Sequence, residues 1–342
     1  VHWPGVRETA DTPDGILVSA DAVGYFGARN GRIISDECDF MHECSDGARR
    51  YYPNIVGKYG PQVQAVLKKA AGLEIKLVCP LHSFVWRQGF GDFLEKDRKW
   101  SSYEPEENGV LIAYASVYGH TENAANILAA KLCDRGVKVK MYDTSVTPAS
   151  YIVSDAFKYS HLVLAATTYN AGVFVTMDQL LHELVTHNLQ NRKVAVIENG
   201  SWAPTSGGPM RELLSQPKGT EFIGDTLTVK SALTEGQLAE LDVLADAIAA
   251  DVLPPKPAPV EVKVSAESGM DGVYEVENAA FNKFSYGCDI LTTRVDGKDY
   301  GCVINTAGQI TSPDPKKITI NCIKANSTCD LAAKAGILHL SH

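Results

Sequence analysis

Between residues 110 and 250 the chain alternates short apolar runs with longer amphipathic segments. The runs VLIAYAS (110–116), VKVKMYD (137–143), HLVLAAT (161–167), KVAVIEN (193–199) and EFIGDTLTV (221–229) read as strands. Helices are predicted from Glu122, from Met177, near Met210 and from Thr234. Strands alternating with helices form a parallel, doubly wound sheet, and ligands of such sheets sit beyond the carboxyl ends of the strands.

The pattern differs on either side. Up to about Trp100, short strands ending in polar residues (Gly15–Asp21 and Ile75–His82) flank an amphipathic helix near Pro61–Ala71. Residues 92–108 read as a helical turn and connector. Ala249–Pro259 carries four prolines, predicting an extended linker that forms neither helix nor central strand. Beyond it, DILTTRV (289–295), YGCVINTA (300–307) and KITINCI (317–323) suggest a β-barrel that stops before it closes. The expected division is 1–100, 101–252, a linker at 253–269, and 270–342.

A length of 342 residues suits two or three domains, and 45% hydrophobic with 21% charged residues is a globular composition. A formal charge of −9 without a basic cluster argues against nucleic acid as a partner. No apolar run approaches the ~20 residues that cross a bilayer, so no membrane partner is expected. The eight cysteines form no CxxC pair, which leaves neither a zinc ribbon nor a rubredoxin-type centre and favours reduced thiols in a cytoplasm. The sequence opens at Val1 with no secretory signal and is read as truncated.

The strongest chemical signal is ASVYGHTENAANILAAKL, where Ser116, Val117, Tyr118, Gly119, His120 and Thr121 join a core strand directly to a helix. Backbone N–H groups at the helix start, with the Ser116 and Thr121 hydroxyls, suit a phosphate that the helix dipole also favours. For this loop alone, a simple capped helix is the alternative. Two further loops follow the next core strands: Thr167, Thr168, Tyr169, Asn170, Ala171 and Gly172, then Asn199, Gly200, Ser201 and Trp202. Tyr169 and Trp202 can wall a planar ring bound at the sheet's carboxyl edge, and Asn170, Gly172 and Gly200 can make close backbone contacts.

With LIAYASVYGHTENAANILA, TTYNAG and ENGSWAPTSG, residues 109–250 resemble the flavodoxin-like domain of flavodiiron proteins, which implies FMN. His120 stands where that family often has asparagine, and NAGVFVTM lacks a second glycine and a proline that are common there. HWP, ILVSADA, ARRYYPNIVGKYGPQVQAVLKKA and CPLHSFVWR are similar to the end of the same family's metallo-β-lactamase-like domain. On that resemblance His2, Asp21 and His82 are di-iron ligands, Asp21 being the bridging carboxylate, and they would be the catalytic metal site. Imidazole and carboxylate suit iron. The resemblance places the family's HxExDH motif upstream of residue 1, His42 and Glu43 read as surface residues, and LHSFVWR departs from the glycine-proline usual after the histidine. FNKFSYGCDILTT, GCVINTAGQITSPDPKKITI and NCIKANSTCD resemble the start of a flavin reductase-like split barrel. There Asn305, Thr306, Gln309 and Thr311 would approach a second FMN or FAD, with Lys324, Asn326 and Thr328 near its phosphate.

The fold expected is therefore α/β: a partial metallo-β-lactamase-like αββα domain, a flavodoxin-like sheet, and a partial FMN-binding split β-barrel. The resemblance implies electrons passing from NAD(P)H or an electron-donor protein through the flavins to the irons, which reduce O2 to water or NO to N2O, in a head-to-tail homodimer. Two other readings stand beside it: an FMN-binding electron carrier without di-iron catalysis, and an NAD(P)H:flavin reductase.

Overall fold

A computed structural model of the chain describes residues 9–11, 13–28 and 30–254, and further on 289–295, 298–304, 307–311, 317–320 and 339–341. The chain divides into two compact units, 1–258 and 259–342.

The centre of the first unit is a parallel sheet. Its strands are β4 (Glu107–Ala115), β5 (Val139–Asp143), β6 (Tyr159–Tyr169), β8 (Lys193–Asn199) and β10 (Leu227–Val229), in the spatial order β5-β4-β6-β8-β10. A short β7 (Gly172–Val173) folds back on β6, and β9 (Glu221–Phe222) extends β8. The chain steps from β4 outward to β5 and then returns to the far side of β4. The strand order reverses there, as in flavodoxin-like sheets. The run 221–229, expected as one strand, is two.

Helices cover both faces because the strands are apolar on both. On one face α5 (His120–Asp134) and α9 (Glu235–Val252) pack Leu128, Leu241 and Ile248 against Ile112, Val163 and Ile197. On the other, α6 (Ala149–Lys158), α7 (Val175–Thr186) and α8 (Gly207–Leu214) cover Leu111, Leu162, Leu164 and Val196. Helix α9 runs to Val252, so 249–252 is helical where the extended linker was expected to begin. The apolar spacing there, Leu244, Ala245, Ile248, Ala249 and Val252, continues the buried stripe until the prolines stop it.

Residues 9–101 build a smaller layer. Strands β1 (Thr9–Asp11), β2 (Ile16–Ala20) and β3 (Leu77–Pro80) form a sheet, with β2 and β3 parallel. Beside them lie α1 (Phe40–Glu43), α2 (Ser45–Val56), α3 (Gly60–Ala70) and α4 (Phe90–Ser101). The last is a full helix where a helical turn and connector was expected. Its buried Phe93, Asp97 and Trp100 repeat at helical spacing on one side.

This layer and the flavodoxin-like sheet share one core. Tyr52, Phe93 and Trp100 belong to the same buried cluster as Phe157, Leu162 and Leu180. An ionic network crosses the same boundary. Arg49 of α2 reaches Glu106 Oε1 at 3.2 Å, Asp46 Oδ1 at 2.7 Å and Asp155 Oδ1 of α6 at 3.0 Å. Lys96 Nζ lies 2.7 Å from Glu106 Oε2, and Trp100 Nε1 donates to Glu106 Oε1 at 2.6 Å. Burial works against the Arg49 charge, but the three carboxylates overcome it and hold the guanidinium above its ordinary value. Arg192, also buried, donates to the carbonyls of Tyr103, Ala156, Phe157, Gln190 and Asn191. Burial lowers it to about 9, which leaves it charged at neutral pH inside that carbonyl cage.

His161, buried at the start of β6, lies 2.8 Å from Ser160 Oγ through Nδ1 and 3.2 Å from Asp251 Oδ2 through Nε2. Burial outweighs Asp251 and pulls the imidazole below its usual value. The unfolded chain therefore takes up this proton first as the pH falls, so the His161 contribution to stability is lost below about pH 6.5. Urea midpoints at pH 7.5 and 5.5 should differ less in His161→Gln than in the parent; equal differences would assign the pH dependence elsewhere.

In the second unit, β11 (Asp289–Val295) pairs antiparallel with β12 (Lys298–Ile304) and with β15 (His339–Ser341). β13 (Ala307–Thr311) and β14 (Lys317–Ile320) form an antiparallel pair. The three strands read from sequence fall here, the second divided between β12 and β13. Whether the sheet closes into a barrel lies outside the described residues.

Candidate functional site

The reversal of strand order opens a crevice at the carboxyl ends of β4 and β6. The loop after β4 enters it. Gly119 sits at φ +85 and a Cβ there would meet nothing within 4 Å, so the left-handed turn is met by glycine beside open space. Ser116 Oγ accepts from the Gly119 N–H at 3.1 Å. The first amide bonded within α5 is that of Asn123, to Gly119 O at 2.8 Å. The preceding N–H groups of His120, Thr121 and Glu122 are the free donors of a helix start, in a 15-residue helix whose dipole favours an anion.

Hydroxyl pairs tie the other loops to this one. Thr121 Oγ1 lies 2.8 Å from Thr167 Oγ1. Thr168 Oγ1 accepts from the N–H of Thr205 at 2.9 Å and of Ser206 at 3.2 Å. Between β6 and β7, Asn170 at φ 50 and Ala171 at φ 58 make a tight turn, with Thr168 opposite Val173 and Tyr169 opposite Gly172. Asn199 is buried and its amide is engaged with the loop after β10, donating to Ser231 O and accepting from Ser231 N, each at 3.0 Å. Ser201 accepts from Ser231 Oγ at 2.9 Å. Gly200 N donates to Val229 O at 3.1 Å, which holds the third loop against β10.

Around this braced edge stand side chains that water solvates poorly. Trp202 is 98% exposed, Tyr118 89% and Tyr169 47%, with Val117 beside them at 46%. A flat ring lying among them would remove apolar area from water. Unpaired helix-start amides and hydroxyls for a phosphate, beside aromatic rings for a planar heterocycle, make a donor set that fits FMN. The bracing residues Thr205, Ser206 and Ser231 were not singled out in sequence; Ser206 before a helix carried a capping signal, the other two carried none.

The predicted metal ligands divide. Asp21 and His82 follow the parallel strands β2 and β3 and meet, with His82 Nε2 3.0 Å from Asp21 Oδ1. Their loops are zipped by Leu81 N to Ala20 O at 2.9 Å and Tyr25 N to His82 O at 2.8 Å. Ala20 at φ 49 and Val23 at φ 65 hold strained backbone on either side of Asp21, the kind of strain that gathers at functional loops. Gly24 lets the Tyr51 ring approach, since a Cβ would stand 1.9 Å from it, and Tyr51 Oη donates to Asp21 O at 3.0 Å. Burial and the Asp21 charge push the Tyr51 phenol up to about 12. His2 lies outside the described residues, and among those described no three His, Cys, Asp or Glu side chains converge as a metal site. Asp21 and His82 alone are a carboxylate and an imidazole in contact, not a complete metal centre. In the second unit Gln309 and Thr311 lie on β13, while Asn305, Thr306, Lys324, Asn326 and Thr328 fall outside the described residues.

A cavity of about 710 Å³ lies away from the crevice, in the first layer, with Asp21 on its lining among Leu17, Tyr52, Phe93 and Trp100. Size does not outweigh chemistry here, because the crevice gathers the phosphate donors and exposed rings. No helix among the described residues is long and apolar enough to cross a membrane.

Residues 112–242 match the flavodoxin family model. The anaerobic nitric oxide reductase flavorubredoxin of Aeromonas hydrophila is 26% identical over 206 residues, 59% of this chain and 41% of that protein. The rubredoxin-oxygen oxidoreductase of Megalodesulfovibrio gigas is 26% identical over 253 residues, 73% of this chain and 62% of that one. A solved structure, rubredoxin oxygen:oxidoreductase from Desulfovibrio gigas, superposes with a TM-score of 0.68 at 25% identity, covering 73% of this chain and 63% of its own. The flavodiiron protein of Giardia intestinalis shares the fold with a TM-score of 0.67 at 22% identity over 74% of this chain and 64% of its own. The matches thus span only part of each relative, under half of the nitric oxide reductase. A flavodoxin domain at 112–242, with matches that reach over 73% of the chain, makes this chain similar in sequence to a rubredoxin-oxygen oxidoreductase and in fold to the flavodiiron protein of Giardia intestinalis.

Proposed function

We propose that the chain is an FMN-dependent oxidoreductase that passes electrons to a non-haem di-iron centre, of which Asp21, His82 and His2 supply ligands. The observation that carries the flavin half is the Ser116–Thr121 loop at the reversal of strand order, braced to two neighbouring loops by Thr167 and Thr168. In this reading the N–H groups that start α5 and the Ser116 and Thr121 hydroxyls hold the phosphate, and Tyr169 and Trp202 orient the ring and shield it from water. When bound, FMN accepts electrons in pairs and releases them singly, which lets a two-electron donor serve a metal acceptor.

The metal half stands on the Asp21–His82 contact and on the relatives' names, and no step is assigned to it. The same names, an oxygen oxidoreductase and a nitric oxide reductase, support O2 or NO as acceptor and a rubredoxin-like protein as donor. NAD(P)H, a second flavin in the C-terminal unit and a head-to-tail homodimer rest on the resemblance alone. The electron carrier without di-iron catalysis is the second reading, favoured by the incomplete ligand set among the described residues.

Flavin and iron per chain, by visible absorbance and elemental analysis after loading with FMN and ferrous iron, test both halves. One FMN per chain with bound iron is expected. A chain that takes no FMN would refute the proposal, and FMN without iron would move it to the electron carrier.

A further inference from the structure

A second cavity, of about 330 Å³, lies between the start of α2, strand β5 and helix α6, and none of its lining residues belongs to the three flavin loops. Its floor is electrically settled. Arg49 is matched by Asp46, Glu106 and Asp155, Tyr142 Oη donates to Asp155 Oδ2 at 2.7 Å, and Lys158 lies 3.4 Å from Glu107 Oε1.

Two lining cations are left over. Arg50 stacks its guanidinium on the Tyr151 ring, 3.6 Å from the centroid, with Phe26 at 5.6 Å. Its Nε donates to Ser150 Oγ at 3.1 Å, and among the described residues neither Nη has an acceptor. The Nη fork, fixed by stacking, is therefore free for a planar or tetrahedral oxyanion. Exposed Lys140 holds its Nζ 5.2 Å from the Tyr142 ring centroid, with no carboxylate of the described residues in bridging distance. In a chain of net charge −9, two unmatched cations in one concave site are not explained by the fold. The walls are aromatic: Tyr25, Phe26, Tyr142 and Tyr151. Tyr151 and Phe26 are 44% and 37% exposed, so part of each ring is open to a ligand beside the Arg50 guanidinium. The volume lies at the small end of ligand sites, ~300–1,000 Å³.

We propose that this cavity binds a mononucleotide, its heterocycle against the tyrosine and phenylalanine rings and its phosphate held by the Arg50 fork with Lys140. A free mononucleotide and the nucleotide end of a larger cofactor share this chemistry.

The test is calorimetric titration with AMP at low salt, on protein loaded with FMN and then freed of unbound FMN by gel filtration, so that the Ser116–Thr121 loop is filled and no free FMN competes for the cavity. Binding with a Kd of ~0.1–1 mM is expected, with adenosine or inorganic phosphate alone at least about tenfold weaker. NADH in place of AMP distinguishes the sources: at least equal affinity points to the larger cofactor, clearly weaker binding to the free mononucleotide. Arg50→Gln should weaken AMP at least about tenfold and Lys140→Gln about threefold or more. Retained FMN content shows that each variant is folded, and Lys140, being exposed, serves where Arg50→Gln is not. No AMP binding up to about 5 mM, parent-like affinity in Lys140→Gln and a folded Arg50→Gln, or phosphate binding as tightly as AMP would each overturn the proposal.

Discussion

Glu106→Ala is expected to remove about 3–5 kcal/mol of stability, the cost of leaving buried charges without their partner. The side chain is 5% exposed and is shared by Arg49, Lys96 and Trp100 Nε1, so its loss takes one of three carboxylates from the buried guanidinium, the partner from Lys96 and the acceptor from the indole N–H at once. Burial pushes the Glu106 carboxyl up, but Arg49, Lys96 and Trp100 together hold it below the usual carboxylate range. A carboxyl depressed in the folded state contributes stability above its unfolded pKa, about 4.3, and that contribution is lost as the pH falls through the folded value. Chemical unfolding at pH 7 measures the loss, and a deficit under about 1 kcal/mol would show that the network is decorative. Arg49→Met combined with Glu106→Ala should be less destabilised than the sum of the two single changes, because both single changes break the same Arg49–Glu106 pair.

The second large effect concerns the flavin. Ser116→Asp keeps an oxygen that can accept from the Gly119 N–H, so the fold should survive. It also places a negative charge against the phosphate the loop would hold. With the site partly open to water, two like charges about 4 Å apart cost between ~1 and ~4 kcal/mol, so FMN affinity should fall about 100-fold, while Ser116→Thr stays near the parent. Flavin fluorescence titration reads the affinity and a thermal melt of the FMN-free protein checks the fold. Unchanged affinity in the aspartate variant would mean that the phosphate lies elsewhere.

The legible parts of this sequence were those where burial alone dictates the pattern. Strands such as HLVLAA are covered on both faces, so apolar residues run without alternation and the parallel sheet is visible in one dimension. Helix α2 shows no unbroken apolar stripe in the sequence because its inward face carries Arg49, a charge whose burial rests on Asp46 beside it and on carboxylates 57 and 106 residues away. The flavin loops were legible as loops, but their bracing was not: Thr121 meets Thr167 across 46 residues and Thr168 meets Thr205 across 37. Asp21 and His82 were paired through a resemblance. What brings them together is the parallel pairing of β2 with β3, a long-range contact that neither residue announces.

The core that runs unbroken from Tyr52 and Trp100 to Phe157 and Leu162 also limits how this protein can be taken apart. A flavodoxin domain is often treated as a portable cassette, but this one has its α6 flank pressed against α2 and its Asp155 committed to Arg49. Cutting near residue 101 would bare a ring-lined face and a carboxylate without its guanidinium. A flavodoxin from elsewhere grafted behind residues 1–100 would fit only if it brought both an acid at the position of Asp155 and an aromatic surface to match. Two layers joined in this way are inherited as a pair.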